Sequence, residues 1–155
     1  MRKGLFFLFV IIILALTGCS TTPEPKMHFS SGICVSSEDI SFKGNFSRSE
    51  TKMTLKVTYP KNLQGYTYNI SEDRAKITYM GIREEIPLNT LPSSAPIRVL
   101  KDAFESIEGK SPTKDKEGYI IKSKGYTVKL NNEGYIESIN TKEMDITFVK
   151  NYKQL

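Results

Sequence analysis

The stretch MTLKVTY at positions 53–59 alternates apolar and polar side chains without a break. Because successive side chains of a β-strand point to opposite faces, this pattern predicts a half-buried antiparallel strand. Its apolar face would carry Met53, Leu55, Val57 and Tyr59. Similar runs recur from Phe29 to about residue 87, and again after residue 117. The period of two therefore predicts one antiparallel sheet, with five or six strands between residues 29 and 87.

One segment interrupts the alternation, LPSSAPIRVLKDAFESIEG at 91–109. Its apolar residues recur at helical spacing, which predicts an amphipathic helix of about three turns. Pro96 suits the first turn of this helix, and Gly109 suits a left-handed position just after its end. The apolar stripe consists of Ile97, Leu100, Phe104 and Ile107. The predicted fold class is mainly β (α+β): a strongly curved antiparallel sheet or half-open barrel with one covering helix.

The first residues form a short basic start followed by an apolar run from Leu5 to Leu16. This run is shorter than the roughly twenty residues that a membrane-spanning helix needs, so it indicates a secretory signal peptide at 1–18. The sequence Leu-Thr-Gly-Cys that ends at Cys19 resembles the lipobox of bacterial lipoproteins. The resemblance implies cleavage before Cys19 and attachment of a diacylglycerol with fatty acyl chains such as palmitate. The alternative is an ordinary signal peptide with a chance cysteine.

Residues 19–28 then form a flexible tether, and residues 29–155 form a single domain. An ordered N-terminal arm is the alternative for the tether. The lipid anchor predicts a protein on the extracytoplasmic face of the cell membrane, with the membrane as a partner through Cys19. Ser20 lacks the Asp of the lipoprotein inner-membrane retention pattern, which in a cell with two membranes indicates the outer membrane.

The charges exclude some classes of partner. The chain carries a net charge of +5, which becomes +3 when Arg2 and Lys3 leave with the signal peptide. These charges are spread along the chain without a basic stripe, so we expect no nucleic-acid partner.

The polar residues predict no enzyme. His28 is the only histidine, and no Cys/His cluster has the spacing of a zinc site. No glycine-rich phosphate loop or nucleophile elbow is present. We therefore expect no catalytic residues, no metal and no cofactor. The remaining cysteine, Cys34, lies in a predicted strand and is interpreted as a small core residue.

Three features resemble the LolA/LolB-like lipoprotein carriers, in particular their small Firmicute-type members. They are Pro60 followed by Leu63-Gln64-Gly65, the sequence Tyr79-Met80-Gly81-Ile82, and a Leu91-Pro92 lead into the helix. The resemblance covers about residues 29–150. It implies a half-open barrel in which a helix covers an apolar cavity that receives acyl chains.

The leading functional hypothesis is therefore a membrane-anchored, non-catalytic lipoprotein that binds a lipid or acyl chain in a concave apolar cavity. The candidate lining is Phe42, Phe46, Leu55, Val57 and Tyr79 from the sheet, with Leu100 and Phe104 from the helix. The same residues would form the core if no cavity exists. The alternative is a structural or interaction lipoprotein that docks an envelope protein without a ligand cavity.

Overall fold

The computed structural model describes residues 22–149 and 153–154. The predicted signal peptide and Cys19 lie outside these residues. The described strands form one antiparallel sheet in the order β6-β5-β4-β3-β2-β1-β11-β10-β9-β8-β7, and β12 pairs with β1. The strands are β1 Phe29–Ser37, β2 Ser41–Arg48, β3 Met53–Tyr59, β4 Thr67–Ser71, β5 Arg74–Tyr79, β6 Ile82–Pro87, β7 Thr113–Lys114, β8 Tyr119–Ser123, β9 Tyr126–Leu130, β10 Ile136–Asn140, β11 Met144–Phe148 and β12 Lys153–Gln154. Because β6 and β7 are the edges of the described sheet, it is not closed.

The covering helix, α1, extends over Pro96–Ile107, as the apolar spacing predicted. A short 3₁₀ helix at Leu88–Thr90 precedes it. Pro96 occupies the start of α1, and Gly109 has a φ of +70° beyond its end. The four predicted stripe residues are all buried. The fold class predicted from the sequence, a curved antiparallel sheet with one covering helix, is confirmed.

The period of two places most side chains of β3 correctly but fails at its last residue. Met53, Leu55 and Val57 are buried, whereas Tyr59 is 63% exposed. The β2–β3 register shifts between Lys43 and Gly44. A bulge of this kind inserts one extra residue and breaks the alternation. The prediction that Tyr59 shares the buried face is therefore wrong.

A turn divides residues 119–130, which the sequence pattern does not separate into two strands. Ser123 pairs with Tyr126 across two turn residues, Lys124 at a φ of +43° and Gly125 at +88°. Two positive φ angles in a two-residue loop match the twist of a hairpin. The run is therefore two strands, β8 and β9.

The segment before β1 lies against the domain. Lys26 donates its backbone N–H to the Gly134 carbonyl at 2.8 Å, and its ammonium lies 4.0 Å from the centre of the Tyr135 ring. Arg48 Nη1 donates to the Met27 carbonyl at 3.0 Å. Lys26 and Met27 therefore contact the domain, and the flexible tether over residues 19–28 stays a prediction. We name residues 26 and 27 the arm. The arm joins the sheet at the Phe29 end of β1.

Candidate functional site

The space beneath α1 is filled by side chains of the protein itself. The rings of Phe46 and Phe104 stack with centroids 5.7 Å apart and an interplanar angle of 16°. Phe29 lies 5.8 Å from Phe46 and 6.1 Å from Phe104. The Phe148 ring lies 5.6 Å from that of Phe46 and 5.5 Å from that of Phe29. Each such aromatic pair adds about 0.5–1.5 kcal/mol beyond the burial of its area.

Six of the seven candidate lining residues belong to this filled region. All six are buried, and Leu55, Leu100 and Phe104 have no exposed surface. The six are Phe42, Phe46, Leu55, Val57, Leu100 and Phe104. Contact between these residues and a ligand stays a prediction, and it would require α1 to move away from the sheet.

Arg48 covers the end of this core that lies nearest the arm. Its guanidinium lies 4.8 Å from the centre of the Phe104 ring. Burial lowers the pKa of Arg48 from its usual value, against the opposing effect of Glu108 and Glu105. An arginine stacked on a ring in this way contributes both packing and a cation–π attraction.

The seventh candidate, Tyr79, lies apart from the other six. Its ring stacks on Tyr66 with centroids 3.8 Å apart and an interplanar angle of 8°. Tyr66 in turn lies 6.3 Å from Tyr68. The Tyr79 hydroxyl donates to the Asn62 carbonyl at 3.1 Å. We name Tyr66, Tyr68 and Tyr79 the tyrosine platform.

The register shows which face carries the platform. Tyr68 pairs with Leu55, and side chains of directly paired residues lie on the same face. Leu55 is buried in the core beneath α1, so the platform continues the core face of the sheet. All three tyrosines are partly exposed. Burial raises the pKa of Tyr68, and neighbouring Tyr66 adds to the shift. The platform is therefore a half-desolvated aromatic surface at the end of a filled core.

The hairpin between β5 and β6, next to the platform, exposes two large apolar side chains. Met80 is 83% exposed and Ile82 is 73% exposed. Met80 has a φ of +49° and Gly81 a φ of +83°, which is the geometry of a type I′ turn. Asn is favoured at the first position of such a turn, and a large apolar side chain is not. We name Met80 and Ile82 the apolar tip.

A separate cavity of about 710 Å³ opens where three turns of the sheet meet the start of α1. Its lining combines the charged residues Glu38, Asp39 and Lys142 with the buried side chains of Val99 and Met144. Tyr126 also borders it. Burial raises the pKa of Tyr126, with Asp102 adding to the shift and Arg98 opposing it.

The described residues hold no group of three or more His, Cys, Asp or Glu side chains with the geometry of a metal site. Within the same residues, no helix has the length and apolar character needed to cross a membrane. Cys34 is partly exposed and lies between buried Ile33 and Val35 on β1, so it belongs to the face of the sheet opposite to the core. The interpretation of Cys34 as a small core residue is therefore wrong.

Comparisons with known proteins place the fold. No family model matches the chain, and no curated protein matches it in sequence. A crystal structure of a LolA superfamily protein from Nitrosomonas europaea matches with a TM-score of 0.52 at 8% identity, over 86% of this chain and 89% of that one. The fold is LolA-like. An uncharacterized conserved protein from Thermus thermophilus matches with a TM-score of 0.43 at 11% identity, over 84% and 80% of the two chains.

The LolA-like fold agrees with the resemblance noted in the sequence. Tyr79-Met80-Gly81-Ile82 contributed to that resemblance, and in the structure it forms one side of the platform together with the tip. The sequence pattern missed Tyr66 and Tyr68 as partners of Tyr79. Tyr66 directly precedes β4, and its contact with Tyr79 depends on the pairing of β4 with β5, which the sequence does not show.

Proposed function

We propose that this protein is a lipid-anchored, extracytoplasmic lipoprotein that binds a hydrophobic ligand non-covalently. The ligand class is a lipid or an acyl chain, and the ligand rests on the tyrosine platform and the apolar tip. The observation that carries the proposal is the Tyr66–Tyr79 stack, which extends the buried core face outward to exposed Met80 and Ile82. An apolar surface of this kind with a few hydroxyls suits a ligand with a greasy body and a polar end.

The position of the platform fits the proposed anchor. The arm joins the sheet at the Phe29 end of β1, beside Arg48. The register places Tyr79 and Ile82 at the opposite ends of the strands. An anchor at Cys19 would therefore leave the platform open to a ligand. The LolA-like fold supports a binding role over an enzymatic one.

A fluorescent fatty acid tests the proposal on residues 20–155. Tyr66→Ser removes the middle ring of the platform, and Ile82→Ser removes apolar surface that is already exposed. We expect each change to weaken binding at least fivefold. Val149→Ser is the matched control, because Val149 is also exposed and apolar but lies after β11. Equal effects of Val149→Ser and Ile82→Ser would contradict a site on the platform.

The second candidate function is a module that docks an envelope protein. The filled core beneath α1 and the exposed edge strand β6 favour this alternative. An edge strand offers unpaired backbone groups to a partner strand. A domain that binds no lipid, but loses a protein partner when Ile82 is replaced, would support it.

A further inference from the structure

A groove of about 560 Å³ lies on the face of β4–β6 that is opposite to the tyrosine platform. Side chains on β4 and β5 alternate between the two faces, so Thr67 and Lys76 point away from Tyr68 and Ile77. The residues that line this basic groove are Lys52, Thr67, Asn69, Ser71, Arg74, Lys76, Thr78, Arg83 and Glu85. The groove is therefore independent of the proposed hydrophobic site.

Positive charge dominates the lining. Four cationic side chains face one carboxylate, that of Glu85, which already pairs with Arg74. Within residues 22–149, no ion pair engages the other three cations, Lys52, Lys76 and Arg83. Three positive charges in one groove are consequently available to an anionic ligand.

Small polar side chains form the floor along β4. The Thr54 hydroxyl donates to Asn69 Oδ1 at 2.9 Å. Because this bond occupies the amide oxygen, Asn69 presents the donor Nδ2 to a ligand. The hydroxyls of Ser71 and Thr78 can donate as well. The groove is thus rich in hydrogen-bond donors along its whole length.

We propose that the basic groove binds an extended polyanion that carries phosphate groups. The five residues of β4 span about 14 Å at about 3.4 Å per residue, and cations lie along this length from Arg74 to Arg83. One small phosphate would engage only part of this row. A flat lipid surface would contact the long Lys and Arg side chains but leave the floor unused.

A polyphosphate chain fits better than an acidic peptide because each repeat places its charge on the backbone itself. The chain can then lie along the groove, and each of its phosphates can accept several hydrogen bonds. Arg83 can hold two oxygens of one phosphate, while Lys52 and Lys76 act as point charges. The sequence analysis did not identify this site, because the pairing of β3, β4, β5 and β6 is what brings Lys52, Lys76 and Arg83 to one face.

The test measures binding of short-chain inorganic polyphosphate to the full chain in a non-ionic detergent. Lys76→Gln/Arg83→Gln removes two exposed cations of the groove and should weaken binding at least tenfold. The slope of log K against log salt should also fall by about one to two units. The matched control is Lys116→Gln/Lys129→Gln, which removes two exposed charges elsewhere and should weaken binding less than twofold.

Orthophosphate, polyglutamate of similar charge and anionic phosphatidylglycerol vesicles serve as competing ligands. The proposal expects polyphosphate to bind at least tenfold more tightly than each of them. Equal or tighter binding of polyglutamate would indicate an acidic peptide instead, and equal or tighter binding of vesicles a lipid surface. Absence of polyphosphate binding, equal or tighter binding of orthophosphate, or equal losses in both double variants would overturn the proposal.

Discussion

The substitution Met80→Asn tests two properties of the apolar tip separately. One is the free-energy cost of the backbone conformation at Met80, and the other is the contribution of the Met80 side chain to ligand binding. Met80 lies at a φ of +49° in a two-residue hairpin, followed by Gly81 at +83°. A residue with a bulky side chain pays about 1–2 kcal/mol in the left-handed region, and Asn pays less. Because the Met80 side chain is 83% exposed, its replacement removes little buried apolar surface. We expect Met80→Asn to raise the free energy of unfolding by about 0.5–1 kcal/mol.

Urea unfolding followed by circular dichroism measures this gain. With a slope of about 2 kcal/mol per molar, the midpoint should rise by about 0.3–0.5 M. Lys124→Asn is the matched control, since Lys124 and Gly125 form a hairpin with the same signs of φ. Both variants should be more stable, but only Met80→Asn should bind the fluorescent fatty acid more weakly, at least threefold. A Met80→Asn variant that is destabilised by 1 kcal/mol or more, or that binds unchanged, would refute the reasoning.

Three further predictions concern the anchor, the core and the platform. Cys19→Ser should accumulate uncleaved precursor that incorporates no labelled palmitate, and normal processing of this variant would exclude the lipobox. Phe104→Ala should cost about 3–5 kcal/mol in urea unfolding, because Phe104 is fully buried and stacks on Phe46; a cost below 1 kcal/mol would contradict the packing of α1. The raised pKa of Tyr68 favours its neutral form in the folded protein. This contribution is complete below the unfolded pKa of about 10 and is lost as pH rises through the folded value. Tyr68→Phe should therefore reduce the fall in stability above pH 10, as urea unfolding at several pH values would show.

The sequence contained enough to predict the sheet and its covering helix. Helical spacing from Ile97 to Ile107 identified α1, and strict alternation identified β3 up to Val57. Both patterns are local, because each depends only on which face of a single helix or strand is buried. Tyr59 escaped the prediction because the β2–β3 bulge depends on pairing with Lys43 and Gly44.

The candidate site was predictable only in part. A period of two shows that Tyr79 and Leu55 are on apolar faces, but it cannot show how far α1 extends over them. The structure buries Leu55 and leaves Tyr79 at the open end. Likewise, the charges looked dispersed in sequence, and only the strand register places Lys76 and Arg83 in one groove. The sequence analysis did not predict this groove, and the expectation of no nucleic-acid partner stays a prediction.

Native mass spectrometry of residues 20–155, purified from a membrane-containing extract, tests the central claim most directly. We predict a stable extra mass that releases fatty acyl chains on extraction. This mass should decrease strongly in Tyr66→Ser and persist in Val149→Ser. A clean protein mass from several different extracts, with no bound lipid in any of them, would contradict a lipid-binding platform.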